Sequence, residues 1–176
     1  MTRFTCACCG TIAQRYNREI YPSNRPRAVA RIEDTSSFTV KNNADFVEVE
    51  HTADWAIRVR GKTLSELFIN VAIGMYSLVV DLPPGKTEIE RTVDVEGVDP
   101  ETLLINWLNE LLYHTEMDNE VFSEFVMQSF EANHLRATVR GNATQQLKKH
   151  IKAATFNDLC IIPTENGYEA TVVFDV

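Results

Sequence analysis

Only two stretches of this chain repeat their apolar residues every three to four positions, and that limits it to two amphipathic helices. The first begins at Thr63 and Glu66, a Thr-x-x-Glu capping box, and carries Leu64, Leu67, Phe68, Val71, Ala72, Met75, Leu78 and Val79 on one stripe. The second has Asp99 as N-cap, Pro100 at the first helical position and Glu101 in the first turn. Its stripe is Leu103, Leu104, Trp107, Leu108, Leu111 and Leu112. The other periodic stretches from residue 46 onward alternate at two: 46–50, 55–60, 87–97, 122–131, 134–141, 150–159 and 168–176. The expected order is ββαβαββββ. Strands that follow one another without a helix are joined as hairpins, so the sheet should be mainly antiparallel. The expectation is an α+β, two-layer sandwich with both helices on one face of the sheet. Asn166-Gly167 is the hairpin turn signal before the last strand. No solenoid repeat is present.

Residues 1–45 show neither period. They hold seven basic and four acidic residues, with Tyr-Pro-Ser-Asn-Arg-Pro and Asp-Thr-Ser-Ser as loop material. This segment is expected to be a disordered or targeting extension ahead of a domain at 46–176. Cys6, Cys8 and Cys9 lie in it without the second ligand pair that a zinc site needs. They are incidental thiols, part of a transit-like segment, or acylation sites. Nothing requires a disulfide, which points to a reducing compartment, cytoplasmic or nuclear, with organellar targeting by 1–45 as the alternative. The formal net charge of -8 and pI ≈ 5.0 argue against sequence-independent nucleic-acid binding. RNA would be met only through a protein partner. No apolar run approaches the ~18 residues of a membrane span.

Familiar catalytic motifs are absent: no phosphate loop, no His-Glu-x-x-His, no Gly-x-Ser-x-Gly, no EF-hand loop. Three places still draw attention. His51-Thr52-Ala53-Asp54 interrupts two strands, with Asp54 either a turn former or a ligand. The last strand ends Val172-Val173-Phe174-Asp175-Val176, which places Asp175 at a sheet end where it is either solvated or neutralised by a hard cation. Lys152 alternates with Ala154 and Phe156 on one face of its strand, opposite Ile151, Ala153 and Thr155, and is either a snorkelling surface lysine or a functional charge. Glu88, Glu90, Asp94 and Glu96 form an acidic strand face, solvated or facing a basic partner. His51, His114, His134 and His150 are expected to be structural.

These residues together resemble one family. His51-Thr52-Ala53-Asp54, Gly61-Lys62-Thr63-Leu64-Ser65-Glu66, Asn106-Trp107-Leu108-Asn109-Glu110-Leu111-Leu112-Tyr113, Ile151-Lys152-Ala153-Ala154-Thr155 and the ending Val-Val-Phe-Asp-Val are similar to archease, in order, over about 47–176. The resemblance implies an accessory factor, not an enzyme. Its partner would be the tRNA-splicing RNA ligase that joins 2′,3′-cyclic phosphate or 3′-phosphate ends to 5′-hydroxyls. The factor would promote GTP-dependent guanylylation of the ligase's active-site histidine and restore turnover. It also implies that Asp54, Asp175 and Val176 bind a divalent cation, Ca²⁺ first with Mg²⁺ or Mn²⁺ as alternatives, and that Lys152 serves activation. Phe156-Asn157 stands where many relatives carry Tyr followed by His or Ser, and Val176 replaces a common Ile. Two other function classes remain: a general chaperone or binding module, and a free-standing metal-dependent hydrolase.

Overall fold

The computed structural model describes residues 46–49, 55–81, 87–144 and 146–176. The expected extension at 1–45, with its three cysteines, lies outside them. Ten elements follow in order: β1 (Phe46–Val49), β2 (Trp55–Gly61), α1 (Leu64–Val79), β3 (Ile89–Glu96), α2 (Pro100–Asp118), β4 (Glu120–Phe130), β5 (His134–Ala143), β6 (Ala153–Thr155), β7 (Ile161–Thr164) and β8 (Gly167–Asp175). Every strand pairing is antiparallel and the class is α+β, as expected.

Both helices begin where their caps predict. Thr63 Oγ1 accepts from Glu66 N at 3.1 Å, and the Glu66 carboxylate accepts in turn from Lys62 N at 3.1 Å. Asp99 Oδ1 accepts from Thr102 N at 2.7 Å. α2 runs six residues past Leu112 and ends on Asn119, whose φ of 57° is the left-handed C-cap that Asn tolerates. The chain therefore turns directly into β4 at Glu120, two residues before the expected start at 122.

The strands divide into two sheets where one was expected. Five form the order β1-β2-β8-β6 with β7 also on β8, and three form β3-β5-β4. The free side of β8 is shared: β6 takes Val173–Asp175 and β7 takes Gly167–Ala170. That sharing explains the main local discrepancy. The expected strand at 150–159 shrinks to three residues because Asp158 turns the chain with φ 52° and Leu159 N donates to Phe156 O at 3.2 Å. β7 was absent from the sequence expectation because Pro163 and a single buried residue, Ile161, mask it. The last hairpin loop is Glu165-Asn166, with Gly167 opposite Thr164 as the first residue of β8. Its φ of 137° and the nearness of Gly61 O leave no room for a side chain.

Each helix packs on strands of both sheets, α1 on β1, β2, β4 and β8, α2 on β3, β4, β5 and β6. The two stripes meet in a common core with Ile57, Val59, Phe122, Val139, Val172 and Phe174. Tyr76 joins the helices. Its hydroxyl donates to Leu111 O at 3.2 Å and shares a 3.0 Å hydrogen bond with Thr115. Burial, the largest influence, raises its pKa. Two of the four acidic residues around β3 are paired within its own sheet: Glu90 lies opposite Arg140 and pairs with it at 2.6 Å, and Asp94 bonds His134 at 2.7 Å.

α2 also anchors β7. Glu101 Oε1 accepts from Ile161 N at 3.1 Å. Burial raises the Glu101 pKa, with that hydrogen bond pulling the other way. A carboxyl whose folded pKa exceeds its unfolded value binds more protons when folded, so its contribution to stability falls as pH rises through the window between the two. Glu101→Gln keeps the acceptor oxygen and removes the charge. Its thermal midpoint should exceed the parent's at pH 7 and converge on it as the pH drops below the glutamate range. An Ala substitution that matched Gln at pH 7 would show that the hydrogen bond is irrelevant.

Candidate functional site

The C-terminal end of β8 gathers residues from three separate stretches of sequence. β2 runs antiparallel to β8 with Trp55 opposite Phe174, so the start of β2 lies beside the end of β8. On the other side β6 sets Ala153 opposite Asp175. Lys152, just before β6, is tied to this end twice. Its backbone N–H donates to Asp175 O at 2.9 Å, and its Nζ donates to Val176 O at 2.8 Å. Lys152, Asp175 and Val176 are all exposed. Lys152, Asp175 and Val176 are thus brought together. Asp54, the residue before Trp55, lies outside the described residues, as do His51, Thr52 and Ala53.

The expected face pattern around Lys152 does not hold. Ile151 and Ala154 are both buried while Lys152 and Phe156 are exposed. Strict alternation requires a strand, and β6 begins only at Ala153. α2 packs on β6 and bonds the backbone of the buried Ala154: Asn109 Oδ1 accepts from Ala154 N at 2.8 Å, and Asn109 Nδ2 donates to Ala154 O at 3.4 Å.

Two further residues border the tip and were not singled out from sequence. Lys149 sits over the Trp55 ring in a cation–π contact, which keeps a second ammonium beside the start of β2. Asn109 is the other. An amide residue in a helix interior is disfavoured unless its side chain has a partner, and that was the available signal.

Among the described residues, His114, Asp118 and Glu120 form the one group of three metal-ligating side chains within 4.8 Å of each other. Its chemistry is already satisfied. Arg91 holds both oxygens of the buried Glu120, at 2.6 and 2.9 Å, and His114 Nδ1 bonds Asp118 at 3.1 Å. His134 is likewise bonded to Asp94, and His150 lies 3.9 Å from Glu116.

Comparison with known proteins matches this architecture. The family model described as "Archease protein family (MTH1598/TM1083)" covers residues 46–176. The protein archease of Methanosarcina barkeri is 32% identical over 136 residues, 73% of this chain and 93% of that protein. The archease of Archaeoglobus fulgidus is 35% identical over 132 residues, 73% of this chain and 96% of its own length. The solution structure of Methanobacterium thermoautotrophicum protein 1598 superimposes with a TM-score of 0.64 at 27% identity, over 74% of this chain and 98% of that one. A crystal structure of an archease and possible chaperone from Thermotoga maritima shares the fold, with a TM-score of 0.54 at 23% identity over 73% of this chain and 94% of that one. The chain belongs to the archease family. Among the described residues no helix is long and apolar enough to cross a membrane.

Proposed function

We propose that this protein activates the GTP-dependent RNA ligase of tRNA splicing, the ligase that joins 3′-phosphate to 5′-hydroxyl ends. It promotes guanylylation of the ligase's active-site histidine and lets the enzyme turn over repeatedly. It is an accessory factor without catalysis of its own. The observation that carries this reading is the exposed tip where Lys152 is held against the end of β8. A lysine ammonium fixed at a protein tip offers a point charge to a phosphate or to a ligase carboxylate.

The tip also suits a hard cation. The Asp175 carboxylate is exposed, and Val176 O carries more than one lone pair, so the bond from Lys152 does not exhaust it. Asp175, Val176 and Asp54 are the residues that would hold Ca²⁺, Mg²⁺ or Mn²⁺. A bound ion would add positive charge for phosphate groups. The chain's own part is to present the Asp175 carboxylate, Val176 O and Lys152 at one exposed edge, inserted beside the ligase site.

Asp175→Asn removes an anionic ligand at an exposed strand end and should leave folding intact. It should weaken calorimetric Ca²⁺ and Mg²⁺ binding at least about tenfold, since charge count sets the affinity of such sites. The same variant should activate the ligase less. Unchanged cation binding with unchanged activation would remove Asp175 from the account.

A further inference from the structure

We infer that Asn109 is a positioning residue for Lys152, acting from α2 through the backbone of β6. The inference rests on the functional reading of Lys152 given above. β6 is three residues long and pairs with β8 on one side only. In an antiparallel ladder, successive residues turn their N–H and C=O groups to opposite sides. Ala153 and Thr155 stand opposite Asp175 and Val173 on β8, and Ala154 between them turns its N–H and C=O to the other side, where no strand pairs with β6 among the described residues. The Asn109 carboxamide fills that place. It accepts from Ala154 N at 2.8 Å and donates to Ala154 O at 3.4 Å, the same donor–acceptor pair that a neighbouring strand would present.

This matters because so little else fixes the segment. Three residues of ladder give few hydrogen bonds to resist fraying, and the segment on the far side turns away at Asp158. α2, by contrast, is rooted in the core through Leu104, Trp107, Leu108 and Leu111, each fully buried. Asn109 lies between these anchors on the same helix. It transfers their rigidity to Ala154, two residues from Lys152. Lys152 then has one place to stand, with its amide on Asp175 O and its ammonium on Val176 O. A preorganised charge acts at a reacting centre without first paying to be ordered. Asn109 touches neither the ligase nor a phosphate in this arrangement. Its effect passes through β6.

The test uses the full chain with three substitutions: Asn109→Ala, Asn109→Asp and Lys152→Ala. Amide hydrogen exchange is followed at Lys152 and Ala154, with Leu104 and Leu108 in α2 as internal controls, and each variant is assayed for activation of the ligase. Asn109→Ala should speed exchange at Lys152 and Ala154 at least about tenfold while Leu104 and Leu108 stay at the parent rate. Its maximal activation should fall at least about fivefold with the half-activating concentration little changed, because the tip is misplaced and the docking surface is not. Asn109→Asp keeps the oxygen that accepts from Ala154 N and should recover part of both. Two results overturn the proposal: full activation by Asn109→Ala, or exchange that rises equally at Leu104 and Leu108, which marks a merely structural role. Lys152→Ala separates the two claims. If it activates fully, the reading of Lys152 fails and the positioning role fails with it. If it is inactive while Asn109→Ala is fully active, only the positioning role fails.

Discussion

Lys152→Ala should fold like the parent and lose roughly 100-fold of its capacity to activate the ligase, the size of effect seen when one preorganised charge or donor is removed from a reacting centre. Folding should survive because the side chain is exposed and losing its hydrogen bond to Val176 O leaves behind an oxygen that water can reach. Lys152→Arg keeps the charge but replaces a compact ammonium with a planar fork, so it should recover only part of the activity. Circular dichroism and thermal unfolding check the fold, and ligation at limiting ligase checks the activity. Wild-type activation by Lys152→Ala would make this lysine an ordinary surface residue.

The second large effect is on stability. Trp107→Ala should cost about 3–5 kcal/mol, the range for removing a buried tryptophan, against total stabilities of roughly 5–15 kcal/mol for domains of this kind. Trp107 has no exposed surface, stands edge-on to Phe125 with centroids 6.0 Å apart, and donates from Nε1 to Phe68 O at 3.3 Å. It therefore touches α1, β4 and its own helix at once, and no single movement can refill the space. Urea unfolding should show a lower midpoint at an unchanged slope. Trp107→Phe, which keeps a ring, should cost less. A loss below about 1 kcal/mol for the Ala variant would mean that the core closes over the gap.

The helices and the α+β class could be read from sequence because their signals are local. Thr63 and Asp99 cap the turns they were expected to cap, and the stripe from Leu103 to Leu112 is buried as its period demanded. The division into two sheets could not be read, because it depends on which distant strands pair. β2 lies against β8, with Trp55 opposite Phe174, and nothing near either residue states that choice. β7 was hidden by Pro163, which ordinarily argues against a strand and is tolerated here at the sheet's margin. At the candidate site, Lys152 and Asp175 stood out by their strand positions, while the roles of Lys152, Asp175 and Val176 came from the family resemblance. Alternation alone placed Lys152 and Ala154 on one face, whereas Ala154 is buried and Lys152 exposed. The reason is that β6 begins only at Ala153, so Lys152 lies outside the regular strand, and that α2, distant in sequence, packs on β6.

The central claim is that this protein makes an RNA ligase turn over. The most direct test mixes the matching ligase, GTP, a divalent cation and an RNA with 3′-phosphate and 5′-hydroxyl ends, with ligase limiting and this protein substoichiometric to it. Without the protein, ligation should stall after about one product per ligase. With it, product should accumulate over many turnovers, and guanylylated ligase should form faster, while the protein alone yields no ligated RNA. Identical progress curves with and without the protein, or ligation by the protein in the absence of ligase, would contradict the account.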